Sequence, residues 1–156
     1  MRLLYFGDVV GRSGRDALVE KLPGIRKSLD ADFVVCCGEN AAHGFGITPK
    51  LCADFYEAGV DCITLGNHSW DAKEIIPYID GDPKLIRPQN YPPGTPGRGV
   101  GVYEARHGRK VMVIQRPCGT LVGSLWPRGA HPRKAAISVL VQVSSMKTRR
   151  SGSTRS

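Results

Sequence analysis

The sequence contains no apolar run long enough to cross a membrane and no cysteine pair with metal-site spacing. A membrane helix needs about 18 consecutive apolar residues, and the longest apolar runs in these 156 residues are far shorter. The five cysteines form no CxxC motif and leave one over, which disfavours a disulfide scaffold or a structural zinc site. Asp8 comes too early for a secretory signal. These absences predict a cytoplasmic chain with no membrane partner.

Acidic residues are missing from residues 116–156, which hold 8 Lys and Arg. Residues 1–115 hold 14 basic and 14 acidic residues, so the whole net charge of +8 lies in the last 41 residues. A uniformly basic protein suggests a polyanionic partner, but this chain is neutral over most of its length. We therefore predict a folded part over 1–115 and a basic tail over 116–156 that is partly disordered.

Apolar runs and helical spacing alternate along the first part of the chain. The runs Arg2–Phe6, Phe33–Cys37 and Val60–Leu65 are each followed by glycine, and amphipathic segments separate them. Because these runs lack polar alternation, they are typical of parallel strands buried on both faces. The pattern predicts an α/β layered fold in which helices cover a mainly parallel sheet.

Local signals predict where the helices begin and end. Pro23-Gly24 predicts a break in the first helix. Thr48-Pro49 predicts the start of the second, which ends near Gly59. Asp71 and Glu74 have the spacing of a capping box that opens a third helix.

The rest of the chain, from residue 81 onwards, contains many residues that favour turns. Residues 81–99 are rich in proline and glycine and are predicted to form a surface loop. Val100–Ala105 and Lys110–Ile114 flank His107-Gly108-Arg109 and predict a β-hairpin. Thr148–Ser156 has no apolar residue and is expected to be disordered.

Polar side chains follow the three predicted strands at the point where each strand ends. The first strand leads into Asp8, the second into Glu39 and Asn40, and the third into Asn67 and His68. Any one of these could be an ordinary turn or cap residue, but ligands bind beyond the carboxyl ends of parallel strands. Oxygen donors with an imidazole suit Mn²⁺, Fe²⁺ or Zn²⁺. A pair of such ions suits the hydrolysis of a phosphate ester.

The same segments carry a family resemblance. Gly7-Asp8-Val9-Val10-Gly11, Gly38-Glu39-Asn40-Ala41-Ala42 and Thr64-Leu65-Gly66-Asn67-His68 resemble the motifs of YmdB-type bacterial metallophosphoesterases, in the calcineurin-like superfamily. The resemblance runs from Met1 to about Ile114. It implies a metallophosphoesterase-type layered fold and a phosphodiesterase with two divalent ions (Fe, Mn or Zn). Its implied substrate is a small phosphodiester or cyclic nucleotide such as 2′,3′-cAMP.

The resemblance also implies a role for each matching residue. Asp8 and Asn40 would bind the first ion, Glu39 would bridge both ions, and Asn67 would bind the second. His68 would be the catalytic proton donor to the leaving oxygen. Two further candidates, Arg12 and His43, could contact substrate, although a solvated arginine at a helix start is the more ordinary interpretation of Arg12.

This sequence departs from the family pattern after about residue 115. The family supplies three more metal-binding histidines there, and neither His107 nor His131 stands in a matching motif. We therefore expect the carboxyl-terminal part of the family domain to be missing or replaced, with 116–156 as an out-of-frame or otherwise aberrant reading; a natural basic extension is the alternative. On this hypothesis the chain is truncated, and its metal binding and phosphodiesterase activity are impaired.

Two other functions compete with this one. A non-catalytic module could bind nucleic acid or another anion through the basic tail, but eight cations without interleaved aromatics indicate no specific nucleic-acid partner. Dinucleotide binding is disfavoured because Gly7, Gly11 and Gly14 do not have GxGxxG spacing. The sequence leaves open whether the chain forms a homo-oligomer.

Overall fold

The computed structural model describes residues 1–117 and 137–144, which form two sheets and three α-helices. The first sheet contains β1 (Leu3–Phe6), β2 (Phe33–Cys37), β3 (Cys62–Thr64) and β4 (Leu85–Ile86), hydrogen-bonded in that order. All its pairings are parallel. The three predicted strands are therefore confirmed, and β1 has β2 as its one neighbour among the described strands.

The fourth strand lies within residues 81–99, where we expected only a surface loop. Leu85 and Ile86 are fully buried and pair with Ile63 and Thr64 of β3. The expectation was wrong at these two positions because a strand of two residues has no periodic pattern. Its pairing with β3, rather than its local sequence, makes it a strand.

The first helix, α1 (Gly11–Ser28), runs through the proline that was expected to break it. Pro23 lacks an N–H, so the carbonyl of Val19 loses its helical hydrogen bond. Both residues are exposed, and this carbonyl can bond to water instead. Leu18 and Leu22 are buried and hold the helix against the sheet. The predicted break was therefore wrong.

The predictions for the other two helices had different outcomes. In α2 (Pro49–Glu57), Thr48 Oγ1 accepts a hydrogen bond of 3.3 Å from Leu51 N–H, so the predicted start is confirmed. The predicted capping box was wrong, because α3 (Ile75–Tyr78) begins later and has no side-chain cap. The Asp71 side chain bonds to His68 instead. No helix in the described part of the chain has the length and apolar character of a bilayer span.

The second sheet is antiparallel and contains β5 (Val100–Ala105), β6 (Arg109–Pro117) and β7 (Ile137–Ser144), in that order. The predicted hairpin is confirmed, and a 3-10 turn over Arg106–Gly108 joins its strands. The division of the chain at residue 115 stays a prediction. Thr148–Ser156, expected to be disordered, lies outside the described residues.

The parallel sheet is covered by helices on one face and by the second sheet on the other. Alternate residues of β2 point to opposite faces. Val34 and Cys36 belong to the apolar cluster that includes the helices, whereas Phe33 and Val35 pack in a second cluster with residues of β5 and β6. The α/β layered fold is confirmed. Since apolar layers close both faces, the polar residues after the parallel strands are confined to one edge.

Candidate metal centre

The carboxyl ends of the first three parallel strands lie side by side. The register pairs Phe6 with Cys36 and Cys37 with Thr64, so these strands end at one edge of the sheet. Hydrogen bonds continue beyond the strands, from Val9 N–H to the Cys37 carbonyl (3.1 Å) and from Gly38 N–H to the Thr64 carbonyl (3.0 Å). The loops that carry the predicted site residues therefore start from a common, well-connected base.

Glu39 lies at the centre of this edge and is only 4% exposed. The backbone N–H of His68 donates to Glu39 Oε2 at 3.4 Å. Burial raises the pKa of the Glu39 carboxyl, the nearby Asp8 charge acts in the same direction, and hydrogen bonding to the backbone of His68 acts against them. Within the described residues, no lysine or arginine forms an ion pair with Glu39. In the part of the chain that the structure describes, the carboxylate is therefore buried without a lysine or arginine partner.

Gly66 makes room for that carboxylate. A Cβ added at this position would overlap the Glu39 carboxylate oxygens. The glycine that follows the third predicted strand thus has a steric reason. Any larger residue at position 66 would displace the Glu39 side chain.

Asp8, Cys37 and Glu39 form a compact group of possible metal ligands. One carboxylate oxygen from each acid and Sγ of Cys37 all lie within 4.8 Å of one another. Two atoms bound to the same Zn²⁺ ion are at most about 4.5 Å apart, so small side-chain adjustments bring all three onto one ion. Carboxylates and a thiol are suitable ligands for a divalent cation of intermediate softness. The residues present therefore fit a metal ion.

The side chains of the two predicted carboxamide ligands, Asn40 and Asn67, make fewer contacts at this edge than Glu39 does. Asn40 is half-buried, and its backbone carbonyl accepts a 2.9 Å hydrogen bond from Gly11 N–H at the start of α1. Asn67 is exposed, and its backbone faces the Glu39 carboxylate. Among the described contacts, neither carboxamide bonds to the group of Asp8, Cys37 and Glu39. Both assignments stay predictions.

His68 is held by two neighbours. Its Nδ1 lies 2.6 Å from Asp71 Oδ2, and its ring meets the Phe45 ring edge-on at a centroid distance of 5.0 Å. With Nδ1 engaged, Nε2 is the ring nitrogen available to a substrate. The imidazole is thus fixed in a defined orientation beside Glu39.

The two candidate substrate contacts lie outside the ligand group. The Arg12 side chain is 87% exposed and forms an ion pair of 3.5 Å with Asp16, as expected of a solvated helix residue. His43 is exposed in a turn with φ of 54°. It lines a groove of about 900 Å³ between α1 and α2, together with Arg15 and Lys50. The support for each substrate role is that the residue lies close in sequence to the predicted ligands. Both roles stay predictions.

Two residues of this edge were missed by sequence reasoning. Cys37 is the last residue of an apolar strand, and the spacing of the cysteines indicates no metal site for it. Asp71 was interpreted as a helix cap, although its position three residues after His68 in a turn also suits a side-chain hydrogen bond. In both cases the type of residue was informative only once its neighbours in space were known.

Comparison with known proteins identifies relatives over the same segment. A family model described as "YmdB-like protein" matches residues 4–127. Among curated proteins, the 2′,3′-cyclic-nucleotide 2′-phosphodiesterase of Bacillus subtilis (strain 168) is 46% identical over 114 residues. That alignment covers 73% of this chain and 43% of the Bacillus protein.

Two solved structures resemble the fold. A hypothetical protein from Thermus thermophilus has a TM-score of 0.69 at 41% identity, covering 74% of this chain and 44% of that one. A phosphatase from Mycoplasma pneumoniae has a TM-score of 0.60 at 34% identity, covering 64% and 37%. The chain thus spans less than half the length of each of these three relatives.

Proposed function

The chain belongs to the family of YmdB-like proteins, and on this premise we propose that it binds divalent metal at the carboxyl edge of its parallel sheet to hydrolyse a small phosphodiester. The observation that carries the proposal is the convergence of ligand atoms from Asp8, Cys37 and Glu39 within 4.8 Å. Ion-free proteins rarely bury a carboxylate such as Glu39 without a compensating charge. A bound cation would supply that charge.

The predicted ligands have different positions around the two ions. Asp8, Glu39, Asn40 and Asn67 would hold two divalent ions (Fe, Mn or Zn), with Glu39 between them. Such ions supply an activated water and neutralise charge on the phosphoryl oxygens. Glu39 suits the bridging position because it is buried at the centre of the edge and is held by the backbone of His68.

His68 is proposed as the proton donor to the leaving oxygen. The bond between Nδ1 and Asp71 holds the ring in place, so Nε2 gives its proton to the departing group. For a 2′,3′-cyclic nucleotide, the water oxygen joins phosphorus, the P–O2′ bond breaks, and O2′ takes the proton. This substrate is supported by the name of the Bacillus relative and by its 46% identity.

We also propose that metal retention and turnover are weak in this chain. The ligand group contains two carboxylates and a thiol and no imidazole. His107 cannot complete it, because Arg106 and Arg109 on either side pair with Asp30 and Asp32, at the amino end of β2. His131 lies outside the described residues. Fewer nitrogen ligands predict weaker binding of Zn²⁺ and Fe²⁺.

The remaining predictions concern location and partners. A cytoplasmic location is supported by the cysteines of the described residues, all four of which are buried and form no disulfide. Anion binding through the basic tail remains the alternative function. Most of the tail lies outside the described residues, and no observation here favours that alternative.

Hydrolysis by the purified chain tests the proposal. The chain is loaded with Mn²⁺ or Zn²⁺ and assayed with 2′,3′-cAMP and with bis(p-nitrophenyl) phosphate. We expect slow, metal-dependent hydrolysis that Glu39→Gln and His68→Ala abolish for the cyclic nucleotide. His107→Ala, at the opposite end of the sheet, is the matched control and should retain the rate. Hydrolysis that survives Glu39→Gln, or none with any metal, would contradict the proposal.

A further inference from the structure

Cys37 differs from the other described cysteines in what surrounds it. Cys36 and Cys52 pack in the apolar cluster on the helix side of the sheet, and Cys62 packs in the cluster between the two sheets. Cys37 is equally buried, at 0% exposure, but it belongs to neither apolar cluster. Its neighbours in space include the carboxylates of Asp8 and Glu39 and the side chain of Tyr5. A thiol in such surroundings needs an explanation other than packing.

The strand geometry explains why Sγ reaches this edge. Alternation along β2 places Cys37 on the same face as Phe33 and Val35, towards the second sheet. Cys37 is the next residue on that face after Val35, and it lies beyond the end of their apolar cluster. Its carbonyl is fixed by Val9 N–H, which brings the Asp8 loop alongside. Sγ of Cys37 lies within 4.8 Å of a carboxylate oxygen of Asp8. Sγ is therefore held against a carboxylate by the backbone of two neighbouring segments.

We propose that Cys37 is a metal ligand, so that Sγ binds the same ion as Asp8 and Glu39. This inference rests on the proposed metal centre but not on hydrolysis. On binding, the thiol proton passes to solvent, Sγ joins the metal, and no electron is transferred. A sulfur ligand beside two carboxylates favours Zn²⁺ and Co²⁺ over the harder ions Mn²⁺ and Mg²⁺. The metal preference of this chain is then set partly by a residue that the oxygen-and-histidine motifs do not include.

Cobalt spectroscopy tests the proposal on the full chain without any assay of activity. Co²⁺ bound by a thiolate gives an intense sulfur-to-metal charge-transfer band in the near ultraviolet, whereas oxygen ligands give only weak visible bands. We expect the charge-transfer band in the unmodified chain and in Cys36→Ser, and its loss in Cys37→Ser. Cys36 is the matched control, because it is the adjacent residue on the opposite face of the same strand.

Each outcome of the Co²⁺ spectroscopy leads to a different conclusion. A band that disappears only in Cys37→Ser supports the proposal. Stoichiometric Co²⁺ binding with visible bands but no charge-transfer band in the unmodified chain overturns it and leaves the metal centre standing. Absence of Co²⁺ binding overturns both.

A competition measurement covers the case in which Cys37→Ser changes the fold. In Cys37→Asp, an oxygen replaces sulfur while a ligand is kept, and circular dichroism reports whether the variant is folded. We expect the ratio of Zn²⁺ to Mn²⁺ affinity to fall at least about tenfold in the Asp variant relative to the unmodified chain. An unchanged ratio in a folded variant would overturn the proposal.

Discussion

A largely buried carboxylate lies at each end of β2, and the two carboxylates differ in the charged groups around them. Asp32, before the strand, accepts a 2.7 Å hydrogen bond from Arg2 N–H and lies 3.8 Å from the terminal amine and 3.9 Å from Arg109. Glu39, after the strand, has no such cation among the described residues. The hydrogen bond from Arg2 lowers the pKa of Asp32, whereas burial raises the pKa of Glu39.

On the proposed function, this difference separates a structural carboxylate from one that binds metal. At the amino end, the fold itself provides the positive charge and the N–H donor that an ionised carboxylate needs. At the carboxyl end, the described residues place a carboxylate and a thiol beside Glu39, and on the proposed function the compensating charge comes from a bound cation. Burial alone therefore does not distinguish the two carboxylates, whereas their ion-pair partners within the described residues do.

The largest expected effect comes from removing each carboxylate in turn. Glu39→Gln should weaken Zn²⁺ binding by about 100-fold or more, because it removes the central ligand of the group. Asp32→Asn, the matched control at the other end of β2, should leave the affinity unchanged. Competition with a chromophoric chelator measures both. Similar losses in the two variants would show that the ends of the strand do not differ in this way.

A methyl group at position 66 should perturb the same carboxylate without removing it. Gly66→Ala places a Cβ against the Glu39 oxygens, so we expect about tenfold weaker Zn²⁺ binding and a loss of about 1–3 kcal/mol in the free energy of unfolding. Chelator competition and chemical denaturation measure the two effects. Gly24→Ala is the control, because a Cβ there meets nothing within 4 Å and should stabilise α1 by about 0.5–1 kcal/mol. Equal behaviour of the two variants would contradict the steric role of Gly66.

Asp71 should influence turnover through the orientation of His68. Asp71→Asn should lower kcat for 2′,3′-cAMP about tenfold, a part of what a general acid contributes. The rate with bis(p-nitrophenyl) phosphate should change much less, since nitrophenolate leaves without protonation. Asp54→Asn, which removes an exposed ion pair with Lys50, is the control. Equal losses with both substrates would show that Asp71 does not act through proton transfer.

The smallest effect concerns the pH dependence of stability at the amino end. The pKa of Asp32 lies below its ordinary value of 3.8 in the folded chain, so its ionised form stabilises the fold above that value. The stabilisation is lost as the pH falls through the lowered pKa. We expect Tm to fall as the pH drops below about 5 and through the lowered pKa, and to fall less in Asp32→Asn than in Asp16→Asn, an exposed control. Parallel curves for the two variants would contradict this assignment.

The sequence was sufficient to predict the features that repeat along the chain. Three apolar runs followed by glycine predict three parallel strands, and their common direction predicts that Asp8, Glu39 and His68 lie at one edge. Thr48 predicts the start of α2 because capping depends on neighbours in sequence. These features have local causes.

The features that were missed depend on contacts between distant segments. β4 is a strand only through its pairing with β3, and α1 passes Pro23 because that side of the helix faces water. Asp71 has the residue type of a helix cap but bonds to His68. Cys37 has the residue type of a core position, and only the approach of Asp8 and Glu39 places it in a group of possible metal ligands.

The outermost position of β1 has a mechanical consequence. Among the described strands it is held by β2 alone, and Asp8 follows it directly, whereas Cys37 and Glu39 belong to the end of β2 and the loop beyond it. A cation shared by these three side chains would cross-link the margin of the sheet to its interior. Amide protons of β1 would then exchange with deuterium more slowly when metal is bound, so that metal occupancy and the order of the first strand rise and fall together.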